Sequence, residues 1–145
     1  MVGGPEGEVL QFTLPSFPPS SNKLYDINHR QRKVYLSDDA LIWRTRTTPF
    51  VKPCRWPVDW LLKLTLDYEA PNWLTSTGAM RRIDVQNYEK LVIDTLFLKW
   101  NTDDSRLVSV VRNKVWGPEQ VIRVTLEHVS PVLQHGHAGD QGSTL

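Results

Sequence analysis

The sequence predicts an α+β fold in which a mixed β-sheet has two main helices packed on it. Segments of strand length alternate apolar and polar residues, one longer segment spaces its apolar residues at helical intervals, and another begins with residues typical of a helix start. These strands and helices are interleaved along the chain, which favours helices packed on one sheet. With 145 residues and 40% hydrophobic content, the chain has the size of one globular domain with its own core.

The first half of the chain is predicted to contain two strands and one helix. Residues 8–14 alternate apolar and polar positions and form a first strand that stops at Pro15, because proline cannot donate to a strand ladder. Residues 33–36 are predicted to form a short second strand. Ser37 and the two aspartates after it are typical of a helix N-terminus, which predicts a helix that ends near Thr47.

The second half is predicted to contain three more strands and a second helix. Residues 59–68 alternate strongly and predict a strand, whereas the polar residues 69–83 predict a long loop. Residues 87–98 carry an apolar stripe at helical spacing, and residues 107–115 and 121–128 predict the last two strands.

The expected domain organisation is simple. Residues 9–130 are predicted to form a single domain, between a flexible N-terminus at residues 1–8 and a disordered tail at residues 131–145. A single cysteine, Cys54, excludes an intrachain disulfide, and no apolar run approaches the roughly 20 residues of a membrane helix. The N-terminus is acidic and Gly-rich, unlike a signal peptide, so we expect a cytoplasmic protein without membrane association.

Positive charge is concentrated in one part of the chain. Residues 23–55 contain eight Lys or Arg and three acids, although the net charge of the whole chain is only +1. A basic region of this kind suits a protein that binds phosphates. The alternative is a solvated surface on which the charges are paired.

Carboxylates flank the second predicted helix. Asp84 lies just before the helix, and the pair Asp103 and Asp104 follows it. Carboxylates brought together from both helix ends can hold Mg²⁺, which prefers oxygen ligands and supports phosphodiester cleavage. Lys90 and Asp94 share a helix face, where Asp94 is expected to be structural. Alternatively, Asp84 only caps the helix and the aspartate pair only forms a solvated turn.

Four blocks of sequence together resemble the RusA family of Holliday junction resolvases over about residues 9–128. The blocks are Leu14-Pro15 with Pro18-Pro19-Ser20-Ser21-Asn22, the Arg-Arg-x-Asp-x-x-Asn-x-x-Lys run at residues 81–90, Asp94, and the pair Asp103-Asp104. The resemblance implies a small homodimeric endonuclease, bacterial or phage-encoded, that uses Mg²⁺, with Mn²⁺ as a substitute. Its expected substrate is branched DNA, in which it nicks opposite strands of a four-way junction during recombination and repair.

The resemblance also implies roles for individual residues. Asp84 matches the family's first catalytic aspartate, Asp104 matches the last, and Lys90 matches a lysine important for cleavage. Asn87 matches the asparagine of the family pattern Asp-x-Asp-Asn, whereas Gln86 replaces its second aspartate. These five residues are the predicted catalytic set, and Asp84, Asp104 and Asp103 are the predicted metal ligands.

Gln86 leaves an alternative open. A glutamine carbonyl can ligate Mg²⁺ but brings no charge, so the protein is alternatively a catalytically weakened junction-binding protein. Asp103 or Glu89 offers a replacement carboxylate. A third hypothesis, which the low net charge leaves open, is an interaction protein with a RusA-like scaffold and no role on DNA.

Contacts to DNA are predicted for basic residues beside the Pro-rich loop and the predicted metal site. They are Lys23, Arg30, Arg32, Lys33, Arg81 and Arg82. Phosphate contacts of this kind position DNA without reading its sequence. Trp73, in the long polar loop, is a candidate for stacking on an unpaired base. A C₂ homodimer is expected because symmetric cutting of a junction needs two active sites at a fixed separation.

Overall fold

The structure is a computed structural model that describes residues 8–19, 25–28, 33–81 and 89–129. The elements are β1 (Val9–Leu14), β2 (Tyr25–Asn28), β3 (Lys33–Leu36), α1 (Asp38–Thr47), β4 (Leu61–Ala70), α2 (Lys90–Trp100), β5 (Leu107–Trp116) and β6 (Val121–Val129). Short 3₁₀ turns, Thr48–Phe50 and Asp104–Arg106, follow the two helices. No helix within the described ranges is long and apolar enough to span a membrane.

The main sheet has four strands in the order β1-β6-β4-β5, and β2 and β3 form a separate antiparallel pair. β4 runs parallel to β5 and antiparallel to β6, which in turn pairs antiparallel with β1. The sheet is therefore mixed, and the predicted α+β fold with two helices is confirmed.

Strand β4 forms the centre of the core. Its alternation is as predicted, because every second side chain from Leu62 to Tyr68 is fully buried. From β6, Ile122, Val124 and Leu126 are buried in the same cluster. The apolar stripe of α2 joins this cluster through Leu91, Val92, Leu96, Phe97 and Trp100. The core therefore fixes α2 and the residues that follow it relative to the sheet.

Helix α1 begins as its sequence predicts. The Ser37 side-chain oxygen accepts a hydrogen bond from the Ala40 N–H at 3.2 Å, and Asp38 and Asp39 occupy the first turn. Trp43 is buried on the inner face of the helix, and its indole N–H donates to the Ser16 carbonyl oxygen at 3.3 Å. The helix therefore holds part of the Pro-rich loop against the domain.

Two features differ from the predictions, and a third, the strand order, was not predicted. Strand β2 has no equivalent among the predicted elements. β4 continues to Ala70, so the loop begins two residues later than predicted. The consecutive strands β5 and β6 do not pair with each other, because β4 lies between them.

Candidate active site

Three aspartates line an open groove of about 630 Å³ at the C-terminal end of α2. Asp94 comes from the helix itself, whereas Asp103 and Asp104 come from the turn after it. The remaining lining residues are Arg44, Phe97, Leu98, Asn101 and Thr102. The Nε atom of Arg44 is buried and has no hydrogen-bond partner among the described residues. The groove thus combines acidic oxygens with a cation from α1.

The end of α2 determines where the aspartate pair lies. Asn101 has a left-handed backbone with φ of 54°, a conformation that ends helices and that asparagine tolerates. The Thr102 N–H donates back to the Phe97 carbonyl oxygen at 3.2 Å. These contacts stop the helix abruptly, so the next two residues are Asp103 and Asp104 at its C-terminal end.

Asp103 has a structural role in this turn. Its carboxylate accepts a hydrogen bond from the Ser105 N–H at 2.8 Å and caps the 3₁₀ turn. This hydrogen bond lowers the pKa of the Asp103 carboxyl, so Asp103 stays ionised. Asp104 is the first residue of the 3₁₀ turn and is exposed to solvent. Two carboxylates are therefore presented side by side, one of them held by a backbone contact.

Arg106 attaches this turn to the rest of the domain. Its Nε donates to the Trp60 carbonyl oxygen at 3.1 Å, and its guanidinium also donates to the Thr102 hydroxyl at 3.0 Å. A third hydrogen bond reaches the Pro57 carbonyl oxygen. The planar guanidinium thus fixes both ends of the acidic turn to the segment that enters β4.

Lys90 and Asp94 are paired on α2. The Lys90 Nζ lies 3.0 Å from the Asp94 Oδ2, at the i, i+4 spacing that brings helical side chains together. The predicted shared face of these two residues is confirmed. Because Asp94 also lines the groove, the pair connects the first turn of α2 with the acidic turn at its end.

Several predicted site residues lie outside the described residues. They are Asp84, Gln86, Asn87, Lys23, Arg30, Arg32 and Arg82. Lys33 is the first residue of β3, and Arg81 is exposed just before the segment that carries Asp84. Within the described ranges, no three His, Cys, Asp or Glu side chains lie close enough to hold a metal ion. The oxygens of Asp103 and Asp104 suit Mg²⁺ chemically, so a complete site needs a further donor such as Asp84.

A family model described as Endodeoxyribonuclease RusA matches residues 18–127, which is more than half of the 145-residue chain. The chain belongs to the RusA endodeoxyribonuclease family. The predicted family resemblance is therefore confirmed. The match spans the whole RusA motif from Arg81 to Lys90 and the acidic turn. A search of curated proteins gave no match.

Glu89 sits at the start of α2, next to the RusA motif lysine. Its side chain is buried, and its Oε2 lies 3.7 Å from the Arg112 guanidinium of β5. Burial raises the pKa of the Glu89 carboxyl, although the Arg112 charge partly offsets this effect. The Glu89 carboxylate therefore lies against β5, and its role as a replacement metal ligand stays a prediction.

Trp73 corrects one of the sequence predictions. Its ring is only 1% exposed, and its indole N–H donates to the Val115 carbonyl oxygen at 2.9 Å. Phe17 of the Pro-rich loop stacks on it with ring centroids 5.8 Å apart. The prediction that Trp73 stacks on an unpaired base is wrong, because the ring is a core residue that holds two loops together.

Lys114 is a basic residue near the RusA motif that the sequence predictions missed. Its ammonium lies 5.4 Å from the centroid of the Trp73 ring, and the Arg81 guanidinium lies 5.6 Å from the same centroid. The Lys114 Nζ also donates to the Arg81 carbonyl oxygen. The sequence around Lys114 does not indicate that this residue contacts Trp73 and Arg81, because Lys114 is one ordinary position of a strand.

Proposed function

We propose that this protein is a Mg²⁺-dependent Holliday junction resolvase that makes paired nicks in four-way DNA junctions. The observation that carries the proposal is the groove lined by Asp94, Asp103 and Asp104 at the C-terminal end of the helix that begins with Lys90. Family membership supports endonuclease chemistry on DNA. Junction specificity, metal use and assembly are the parts that the proposal adds.

Asp84 and Asp104, with Asp103 beside them, would hold the metal. Carboxylate oxygens are the donors that Mg²⁺ prefers, and Mn²⁺ accepts the same donors. When bound, the ion supplies Lewis acidity at the scissile phosphate and lowers the pKa of water so that hydrolysis proceeds near neutral pH. The Ser105 hydrogen bond keeps Asp103 ionised and thus able to contribute charge.

Lys90 would act on the phosphate rather than on the metal. Its ammonium offsets charge that develops on the phosphoryl oxygens or the leaving group. The 3.0 Å ion pair with Asp94 holds this side chain along the helix toward the groove. Gln86 and Asn87 complete the proposed catalytic set through their amide groups, which donate and accept hydrogen bonds.

DNA would be held by six basic residues. The proposed contacts are Lys23, Arg30, Arg32, Lys33, Arg81 and Arg82. Arg81 is exposed, which is what a phosphate contact requires. Cleavage of two opposite strands would use a C₂ homodimer, because two active sites are then related by the approximate symmetry of the junction. We place this activity in the cytoplasm of a bacterium, in a chain encoded by the cell or by a phage.

A second candidate function rests on Gln86. This residue stands where the RusA pattern has an aspartate, so the site has one negative charge fewer with which to bind Mg²⁺. A protein weakened in this way would bind junctions tightly and with strong salt dependence, but would not nick them. The two candidates differ only in catalysis, and cleavage assays separate them.

The test is nicking of a synthetic four-way junction in Mg²⁺ and then in Mn²⁺. The variants are Gln86→Asp, Asp104→Asn and, as a matched control for loss of an exposed carboxylate, Asp59→Asn. The resolvase proposal expects the native chain and Asp59→Asn to cut, while Asp104→Asn binds but does not cut. Cleavage by Gln86→Asp alone supports the weakened protein instead. If no variant cuts and none binds junctions in preference to linear duplex, both candidates are wrong.

A further inference from the structure

Residues 72–81, between β4 and the RusA motif, form an ordered hairpin. Leu74 and Met80 are partners in an antiparallel β-bridge. The Thr75 N–H donates to the Ala79 carbonyl oxygen at 2.7 Å, and further hydrogen bonds close the tip. This segment, the 72–81 hairpin, therefore presents its side chains from a defined backbone.

The base of the hairpin is anchored and positively charged. The Arg81 N–H donates to the Trp73 carbonyl oxygen at 2.7 Å, and the Arg81 guanidinium donates to the Asn72 carbonyl oxygen at 3.2 Å. Arg81 and Lys114 both lie over the buried Trp73 ring. Two cations are therefore held at the point where the hairpin leaves the domain, which suits contact with phosphates on either side of it.

The bridge partners are apolar and exposed. Leu74 is 45% exposed and Met80 is 50% exposed, even though the backbone that carries them is paired. Leucine and methionine are among the side chains that proteins insert between base steps of DNA, where they partly unstack the bases. The hairpin thus combines an exposed apolar pair with two cations at its base, as expected of an element that inserts between base steps.

The hairpin also lies next to the catalytic segment in the chain. Met80 precedes Asp84, the proposed metal ligand, by four residues, which is at most roughly 14 Å of extended chain. Displacing a base costs a few kcal/mol of stacking and pairing, and the cost is least where the base is already unpaired or poorly stacked. An apolar wedge would therefore act most easily at a branch point whose bases are incompletely stacked.

We propose that the 72–81 hairpin is a wedge that places Leu74 and Met80 against the bases at the crossover of branched DNA, while Arg81 and Lys114 contact the flanking phosphates. This inference rests on the proposed junction-resolving function. It adds a structural basis for recognising the branch point. A protein partner is a poorer occupant, because two side chains fall far short of the roughly 800 Å² that each partner of a stable interface buries.

The test uses a four-way junction with 2-aminopurine at the crossover, whose fluorescence rises when the base leaves the stack. Fluorescence and binding are measured in EDTA, and nicking is measured separately in Mg²⁺. The test variant is Leu74→Ser with Met80→Ser. Ile42→Ser is the matched control, since Ile42 on α1 is 48% exposed. A second pair, Leu74→Gln with Met80→Gln, preserves side-chain length and is used if the serine variant melts below the native chain.

The wedge predicts that the native chain and Ile42→Ser raise the fluorescence, whereas the double variant loses this rise and nicks junctions about tenfold more slowly. Binding of linear duplex stays unchanged, because the cations are intact. The conservative double variant Leu74→Met with Met80→Leu keeps both side chains apolar and is expected to raise the fluorescence as the native chain does. If the double variant gives the native fluorescence and nicking rate, the wedge is wrong while junction resolution stands. If the native chain shows no preference for junctions, the proposed function fails and the wedge fails with it.

Discussion

Arg106 donates from its Nε to the backbone carbonyl oxygen of Trp60 over 3.1 Å, across 46 positions of sequence. This hydrogen bond joins the acidic turn of the candidate active site to the strand at the centre of the core. The position of Asp104 relative to the sheet therefore depends on a residue that has no part in the proposed chemistry.

Arg106→Lys is expected to loosen this turn. Lysine keeps the positive charge but lacks the planar fork that reaches Trp60, Thr102 and Pro57 together. We expect a loss of about 1–3 kcal/mol in the free energy of unfolding, because carbonyl groups lose their partners. We also expect slower nicking at saturating Mg²⁺. Urea unfolding and single-turnover cleavage measure the two effects, and Arg46→Lys on the exposed side of α1 is the control. If Arg106→Lys and Arg46→Lys unfold and cleave alike, Arg106 does not position the acidic turn.

Two variants of Asp103 separate the effect of its negative charge from the effect of its hydrogen bond in the turn. Asp103→Asn keeps an oxygen that can accept the Ser105 N–H but removes the negative charge, whereas Asp103→Ala removes both. The asparagine variant is expected to melt like the native chain and to need more Mg²⁺ for half-maximal nicking. The alanine variant is expected to melt lower and to cut poorly at every Mg²⁺ concentration. Identical Mg²⁺ titrations for the native chain and Asp103→Asn would show that this charge does not contribute to metal binding.

Trp73 is expected to matter for stability far more than an exposed tryptophan. Trp73→Phe removes the indole hydrogen bond to Val115 and leaves a space in the core, at a cost of about 1–3 kcal/mol in the free energy of unfolding. Trp116→Phe is the matched control, since Trp116 is 54% exposed. Chemical denaturation of both variants tests the prediction. If Trp116→Phe loses as much free energy of unfolding as Trp73→Phe, burial of Trp73 does not explain its effect.

The ion pair between Glu69 and Arg123 is expected to make stability depend on pH. The Arg123 Nε lies 2.8 Å from the Glu69 Oε1, and this hydrogen bond lowers the pKa of the Glu69 carboxyl in the folded chain. The unfolded chain therefore binds the proton at a higher pH than the folded chain does. The contribution of the pair is complete above the ordinary glutamate pKa and is lost as the pH falls through the lowered value.

Thermal melts between neutral and acidic pH measure this effect. Glu69→Gln is expected to flatten the decline in melting temperature below the ordinary glutamate range. Glu127→Gln is the control, because it also removes one carboxylate charge, from β6. It is expected to leave more of the decline in melting temperature in place. If the melting temperature of Glu69→Gln falls with pH as steeply as that of the native chain, the ion pair is not the source of the decline.

Features set by neighbouring residues were predictable from the sequence. The Ser37 cap, the alternation along β4 and the Lys90–Asp94 pair all depend on spacings of four residues or fewer, and all three are present. Family membership was also predictable, because the motif residues stand at characteristic intervals.

Contacts between distant parts of the chain were not predictable. Polar neighbours made Trp73 look exposed, whereas its position is decided by Val115, 42 residues further along the chain. Strand β2 is short, and its four residues include an aspartate and an asparagine, both disfavoured in strands. The role of Arg106 likewise depends on carbonyl groups that precede β4, which no local pattern of the turn reveals.

The strand order has a consequence for the synthesis of this nuclease. β6 is the last strand of the described chain, yet it lies between β1 and β4 and pairs with both. β1 is made before the other strands, but it has no sheet partner until Ile122 to Glu127 of β6 have been made. Pairings this distant in sequence form slowly, since the intervening chain must be ordered first. The main sheet is therefore incomplete until β6 has been made.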